Sequence, residues 1–282
     1  MIDEKAPLLV FGGPYSNFQA TAALRAEAQR LGIPNGNVVC TGDVVAYAAA
    51  PEETARLIRD WDIHIVAGNC EEQLGEGASD CGCGFAAGSA CDRLSRGWYP
   101  YALNRTSADM RAWMGNLPGR LDLRYGDTAI CILHGGATQN NRFLFGSERT
   151  RLETEFAAAS RHKHCEIILG GHAGIPFVAP LRDGWWINAG VIGMPANDGT
   201  PDGWYALLER TDGGLNAGLH RLRFDHRSAA AAMRRAGHAN GYARTMITGI
   251  WPSHDVLPDV ERRATGQPLP EIVQQISRPA AA

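Results

Sequence analysis

The chain has 282 residues, 45% of them apolar and 20% charged, with Gly and Pro together about 17%; it can bury a core and is neither disordered throughout nor collagen-like. Its formal net charge of −3 removes the electrostatic case for a general nucleic-acid or anionic-membrane binder and leaves room only for a local basic patch. The start, Met1 to Pro7, is acidic before it is apolar, and no run approaches the ~20 apolar residues of a membrane span. The expected address is therefore the cytoplasm, with no membrane partner and no nucleic acid.

Short apolar runs alternate with helical patterns through the first half, which predicts parallel strands joined by crossover helices. Strands are expected at 7–12, 38–41 and 63–67, and helices at 17–31 and from Pro51-Glu52-Glu53, where Pro and acids suit a helix N-terminus. Residues 75–92, with five glycines and three cysteines, read as one long loop of the kind that usually carries function. A helix near 107–114 precedes a hairpin, 121–125 and 128–133, turning on Gly126-Asp127. A helix near 148–159 leads to strands at 165–169, 177–179, 185–188, 204–209 and 219–224. The body, 1–225, reads as two sheets with helices outside. An extension, 226–282, opens with an Ala/Arg-rich helix at 228–235 and is read as a packed or partner-binding helix with a flexible end.

Four polar clusters stand at predicted strand ends: Gly42-Asp43, Gly68-Asn69-Cys70-Glu71, His134-Gly135-Gly136 and Gly170-Gly171-His172. In open α/β sheets ligands bind beyond the carboxyl ends of the strands, so the four should converge there. One carboxylate, one amide oxygen and two imidazoles make a mixed O/N set suited to Mn, Fe, Co or Zn. Neither a dinucleotide-binding glycine fingerprint, a phosphate-loop lysine nor a Gly-x-Ser-x-Gly elbow is present.

The ordered blocks Gly42-Asp43-Val44-Val45-Ala46-Tyr47 with Pro51, Gly68-Asn69-Cys70-Glu71, Leu133-His134-Gly135 and Gly171-His172-Ala173-Gly174, closed by 187–199, resemble the calcineurin-like metallophosphoesterases, nearest their small bacterial and archaeal branch. The resemblance spans about residues 7–225 and implies an α/β/β/α sandwich. It also implies a second-metal site made of Asp43, Asn69, His134 and His172.

Three positions depart from that pattern. Gly13-Pro14-Tyr15 stands where the family has Asp-x-His, Cys70 where it has His, and Gly174 where the last block ends in a second His. The first-metal ligands are thus lost apart from Asp43, and one ion is expected rather than two unless cysteines rebuild the missing half. Cys70, Cys81, Cys83 and Cys91 are the candidates, against the simpler readings of a glycine-rich lid or a separate structural metal site. Cys40, Cys131 and Cys165 lie in apolar runs and read as buried thiols, and Trp185, Trp186 and Trp204 read as core. Tyr15 reads as an aromatic wall or a phenolate ligand, and Arg142 as a phosphate clamp or a salt bridge.

Two functions follow from these residues. The first is a metal-dependent phosphoesterase-like hydrolase that acts on a small phosphorylated or anionic molecule through metal-activated hydroxide, with Mn, Fe or Zn as cofactor and with Cys70 and Arg142 near the chemistry. The alternative is a thiolate-containing metal centre with a redox, sensing or other non-hydrolytic role, or a catalytically silent binding domain.

Overall fold

Strand β1 (Leu8–Phe11) is buried on both faces, and its alternation assigns the layers: Leu8 and Val10 enter one apolar cluster, Leu9 and Phe11 another. In the computed structural model, which describes residues 2–161, 163–212, 214–237 and 240–277, β1 is followed by α1 (Phe18–Arg30), β2 (Val38–Cys40), α2 (Pro51–Trp61) and β3 (His64–Ile65). Asn17 caps α1 by accepting from the Ala20 amide, and Pro51 opens α2 with Glu52 and Glu53 in its first turn, where acids favour the helix dipole. Then come α3 (Asn69–Glu76), α4 (Ala90–Arg105), α5 (Ala108–Gly115), the hairpin β4 (Arg120–Tyr125) and β5 (Thr128–Leu133), α6 (Arg149–Ser160), β6 (Ile167–Gly170), β7 (Phe177–Pro180), β8 (Trp185–Asn188), β9 (Gly203–Thr211) and β10 (Gly214–Leu222). The chain closes with α7 (His226–Ala236), α8 (Asn240–Thr248), α9 (Asp259–Arg263) and β11 (Ile272–Ile276).

Both sheets are mixed. One runs β11-β10-β9-β1-β2-β3, with β1, β2 and β3 parallel; the other runs β4-β5-β6-β8-β7, with β5, β6 and β8 parallel. Leu8 and Val10 of β1 meet Ile130 and Ile132 of β5 and Ile167 and Leu169 of β6 in the cluster between the sheets. Cys131 and Ile168, pointing the other way, pack with Leu152 and Phe156 of α6, while the opposite face of the first sheet is covered by helices from both halves of the chain. This is the expected α/β fold of two sheets with helices outside, and Cys40, Cys131, Cys165, Trp185, Trp186 and Trp204 are buried in it as read.

Three details correct the sequence reading. The loop expected from 75 starts later, because α3, which opens directly on Asn69, runs through Glu76. The glycine-rich loop ends sooner than 92, because Ser89 caps a 16-residue helix, α4, by accepting from the Asp92 amide; Gly97 and Pro100 masked that helix in the sequence, and Pro100 lies inside it. The extension has the expected packed helix, α7, and adds a strand that was not expected, β11, which pairs antiparallel with β10 at the sheet edge. The end of that extension, 278–282, lies outside the described residues.

Candidate metal centre

The exits of four parallel strands deliver the polar residues to one crevice. Asp43 follows β2, Asn69 opens α3 just past β3, His134 follows β5 and His172 follows β6, each no more than 7% exposed. The turns are tight: Asp43 and His172 sit in left-handed backbone at φ +58° and +60°. Such strain, worth ~1–3 kcal/mol per residue, persists where surrounding structure imposes it, typically at functional sites. A Cβ on Gly68 would lie 2.4 Å from Asp43 Oδ1 and 2.9 Å from the His134 ring, so only glycine lets the chain pass there.

His134 Nδ1 lies 2.6 Å from the Thr41 carbonyl, which can only accept. That nitrogen therefore carries the proton, leaving a lone pair on Nε2. Nε2 faces Asn69 Oδ1 at 3.2 Å, His172 Nδ1 at 3.0 Å and Asp43 Oδ2 at 3.3 Å. Two of these neighbours are acceptor oxygens, and the third belongs to an imidazole whose other nitrogen, His172 Nε2, is buried without a hydrogen-bond partner. A proton on His172 Nδ1 or on His134 Nε2 would meet one or two of these contacts, whereas a cation would meet all of them at once. Among the described residues, Asp43, His134 and His172 form a group whose ligand atoms all lie within 4.8 Å of one another.

The charges interlock. Burial opposes ionisation of Asp43, yet the His134 and His172 imidazoles outweigh it and hold the carboxyl well below the usual range. Burial opposes charge on His134 too, but Asp43 and the Thr41 carbonyl prevail and raise its pKa. On His172 burial wins and the pKa falls, with the neighbouring His134 adding to it. The Phe143 ring, 4.1 Å from the His172 ring, shields it.

Glu71, fully buried, ties the strand exits together: its carboxylate accepts from the amides of Asp43 at 2.7 Å, Val44 at 2.8 Å and Gly68 at 2.8 Å. Burial and the Asp43 charge push Glu71 up to about 7, and a cation against Asp43 would relieve the second cause. Glu71 stands in the Gly68-Asn69-Cys70-Glu71 motif with no role expected of it; the need of an acid at a buried strand end for donors is the signal that marks one.

A profile of the calcineurin-like phosphoesterase superfamily domain matches residues 17–213. The chain belongs to that superfamily. No curated protein matches it. It is similar in fold to a metallophosphoesterase from Sphaerobacter thermophilus, at 20% identity and TM-score 0.67, covering 87% of this chain and 99% of that one. It is likewise similar to a hypothetical protein from Pyrococcus horikoshii, at 14% identity and TM-score 0.72 with the same coverage. Among the described residues, no helix is long and apolar enough to cross a membrane.

Where the superfamily resemblance expects first-metal ligands, the structure has rings. A Cβ on Gly13 would lie 2.6 Å from the Tyr15 ring, and one on Gly174 would lie 3.2 Å from the Trp251 ring. Tyr15 is 5% exposed, and burial with the nearby Asp43 charge raises its phenol pKa well above the ordinary value, which fits an aromatic wall rather than a phenolate.

The cysteines occupy different places. Cys81 and Cys83 are bonded to each other, and their loop holds Asn69: its Nδ2 donates to the Cys81 carbonyl at 2.8 Å and approaches Cys83 Sγ at 3.4 Å and Cys70 Sγ at 3.6 Å. Those contacts turn Asn69 Oδ1 toward His134. Cys70 donates its amide to Asp43 Oδ1 at 3.3 Å, while burial, then Asp43 and Glu71, keep its thiol protonated well above the usual range. Cys91 sits in the first turn of α4 and lines a cavity beside His172 without joining the converging ligand atoms. Arg142 pairs with buried Glu155 at 3.0 Å and opens onto a different cleft from the one over His172.

Proposed function

We propose that this chain is a metal-dependent phosphoester hydrolase acting on a small anionic substrate, with one ion held by Asp43, Asn69, His134 and His172. The observation that carries the reading is the convergence of acceptor atoms on His134 Nε2, a buried arrangement that a cation completes. The N/O donor set suits Mn, Fe or Zn. When bound, the ion supplies Lewis-acid polarisation of a phosphoryl oxygen and lowers the pKa of water. The Thr41 carbonyl fixes the His134 tautomer, the Cys70 amide orients Asp43, the cysteine loop orients Asn69, and Glu71 holds the Asp43 turn to the Gly68 turn. The Tyr15 and Trp251 rings, standing toward the positions of the lost ligands, support one ion per chain.

Metal analysis combined with a screen of phosphomonoesters and phosphodiesters tests this. Asp43→Ala and His172→Ala should each lose metal retention and reduce turnover by more than ~100-fold, since even residues that only support a ligand cost 10–100-fold. Retained turnover in either variant would remove the metal mechanism. Retained metal in the unaltered protein with no hydrolysis of any ester would favour the silent binding domain.

A further inference from the structure

Cys81 and Cys83 form the only disulfide among the described residues, and the other cysteines are free thiols. A single residue separates the pair, and the stabilisation a disulfide gives grows with the length of chain it closes, so this bond contributes little to holding the fold. Other contacts place the loop: the Tyr99 hydroxyl donates to the Ala78 carbonyl at 3.2 Å, Asp80 Oδ1 accepts from the Gly82 amide at 2.8 Å, and Asn141 Nδ2 donates to the Gly82 carbonyl at 2.6 Å. The bond has two neighbourhoods. Cys83 Sγ lies against Asn69 of the metal cradle, and both cysteines, with Asp80, Gly84, Tyr99 and Asn141, line a cleft of about 610 Å³.

What the two sulfurs offer Asn69 depends on their oxidation state. A disulfide sulfur carries no hydrogen and can only accept, as can the Cys81 carbonyl, so the amide turns Nδ2 to the loop and Oδ1 to His134 Nε2. Cys70, a thiol in either state, accommodates both ends of the amide. A thiol at 83 would donate as well as accept. Its sulfur is 3.7 Å from the Cys81 carbonyl, so the S–H would compete with Asn69 Nδ2 for that acceptor or donate to Oδ1 of the reversed amide. Reduction thus removes the constraint on which way Asn69 faces, and apparent metal affinity falls with the fraction of chains that present Oδ1 to the ion.

We propose that the Cys81–Cys83 disulfide is a redox-active site reached by small dithiols through the cleft, and that its reduction weakens metal binding by releasing Asn69. The proposal rests on the metal-centre reading above for the role of Asn69. In the exchange a thiolate of the dithiol attacks one sulfur of the pair and the other leaves as a thiolate. The second thiol of the reductant then displaces the sulfur held in the mixed disulfide. Two electrons and two protons pass from the dithiol to the protein, which gains two thiols while the reductant becomes a disulfide.

Calorimetric titration of Mn into the intact metal-free protein, before and after treatment with dithiothreitol and its removal without oxygen, tests the proposal without requiring turnover. Denatured samples should show five thiols before treatment and seven after it. Reduction should weaken Mn binding by ~3- to 10-fold, at the low end for residues that support a ligand. Linkage is reciprocal, so saturating Mn should make the disulfide harder to reduce by the same factor. Cys81→Ser with Cys83→Ser should bind Mn as the reduced protein does and ignore dithiothreitol; Asn69→Ala should bind more weakly in both states and lose the response. A change below ~3-fold, tighter binding on reduction, or a response that survives Asn69→Ala overturns the proposal and leaves the metal centre standing. A fall beyond ~10-fold overturns it too, because the sulfurs would then be ligands. Seven thiols before treatment would remove the disulfide itself. Absence of Mn binding in both states would sink the metal-centre reading, and the proposal with it.

Discussion

The crevice has two sides that solve opposite problems. On one, Asp43, Asn69 and His172 bring lone pairs within about hydrogen-bonding distance of His134 Nε2, and surrounding carbonyls, amides and Glu71 fix Asp43, Asn69 and His134 in place. On the other, where the superfamily resemblance expects a matching set of ligands, Tyr15 and Trp251 supply apolar surface, and among the described residues no Lys, Arg, Asp or Glu lines the space. Loss of ligands has therefore not left a gap. The same strand ends carry a polar cradle and an aromatic wall, and they differ in which interactions they can offer an anionic substrate.

Alanine at one glycine on each side should separate the two most sharply. Gly68→Ala puts a methyl 2.4 Å from Asp43 Oδ1 and 2.8 Å from the Asp43 amide, so either the Asp43 turn or α3 must move. Overpacking of that kind costs ~1–3 kcal/mol, and the expected result is a lower melting temperature together with loss of stoichiometric metal. Gly174→Ala meets only the Trp251 ring, at 3.2 Å, with backbone strain at φ +73°; metal content should stay at one ion per chain. Equal metal loss in both variants would mean that the two sides are one coupled unit.

Metal uptake should also depend on pH with a definite sign. Because Asp43 raises the pKa of His134 above the ordinary imidazole value, its Nε2 takes up a proton more readily than a free imidazole does, and an incoming ion must displace that proton where it is bound. Apparent affinity should therefore weaken as pH falls through a midpoint above 6.5, by up to ~10-fold per pH unit for one displaced proton. The matching statement for the apoprotein is that the charged His134–Asp43 pair stabilises the fold below the unfolded imidazole pKa, and that this contribution is lost as pH rises through the folded value. Affinity independent of pH between 6 and 8 would contradict this arrangement.

The smallest effect is expected from the cysteine loop. Its Cys81 carbonyl and Cys83 sulfur orient Asn69 without donating to the ion, so Cys81→Ser with Cys83→Ser should lower metal affinity by no more than ~10-fold, at the low end for residues that support a ligand. Complete metal loss in that double variant would make the sulfurs ligands after all and bring the thiolate alternative forward.

The four cradle residues could be named from the chain because each follows a short apolar run that reads as a buried strand, and parallel strands within a sheet end on one side; that the ends of the two sheets meet in one crevice came from their packing. Glycine at 42, 68, 135 and 171 reinforced that reading, since close passage of backbone leaves its mark in residue type. Helix α4 was hidden because Gly97 and Pro100 argue against helix locally, and packing overrides them; Trp98 and Tyr99, only 1% and 2% exposed, show what it gains. Strand β11 was equally hidden, for an edge strand with most residues exposed carries little hydrophobic alternation.

What the order of residues determined by itself is the alternation of strand and helix and the residue types a candidate metal cradle would draw on, because these depend on local periodicity and on which residues stand at strand ends. Tertiary structure decided the rest. Whether Cys81 and Cys83 meet an ion or an asparagine, whether Arg142 faces a substrate or Glu155, and whether Trp251 belongs to a tail or to the wall beside His172 all depend on contacts between residues far apart in the chain. Such contacts are set by how whole elements pack, and no local pattern encodes them.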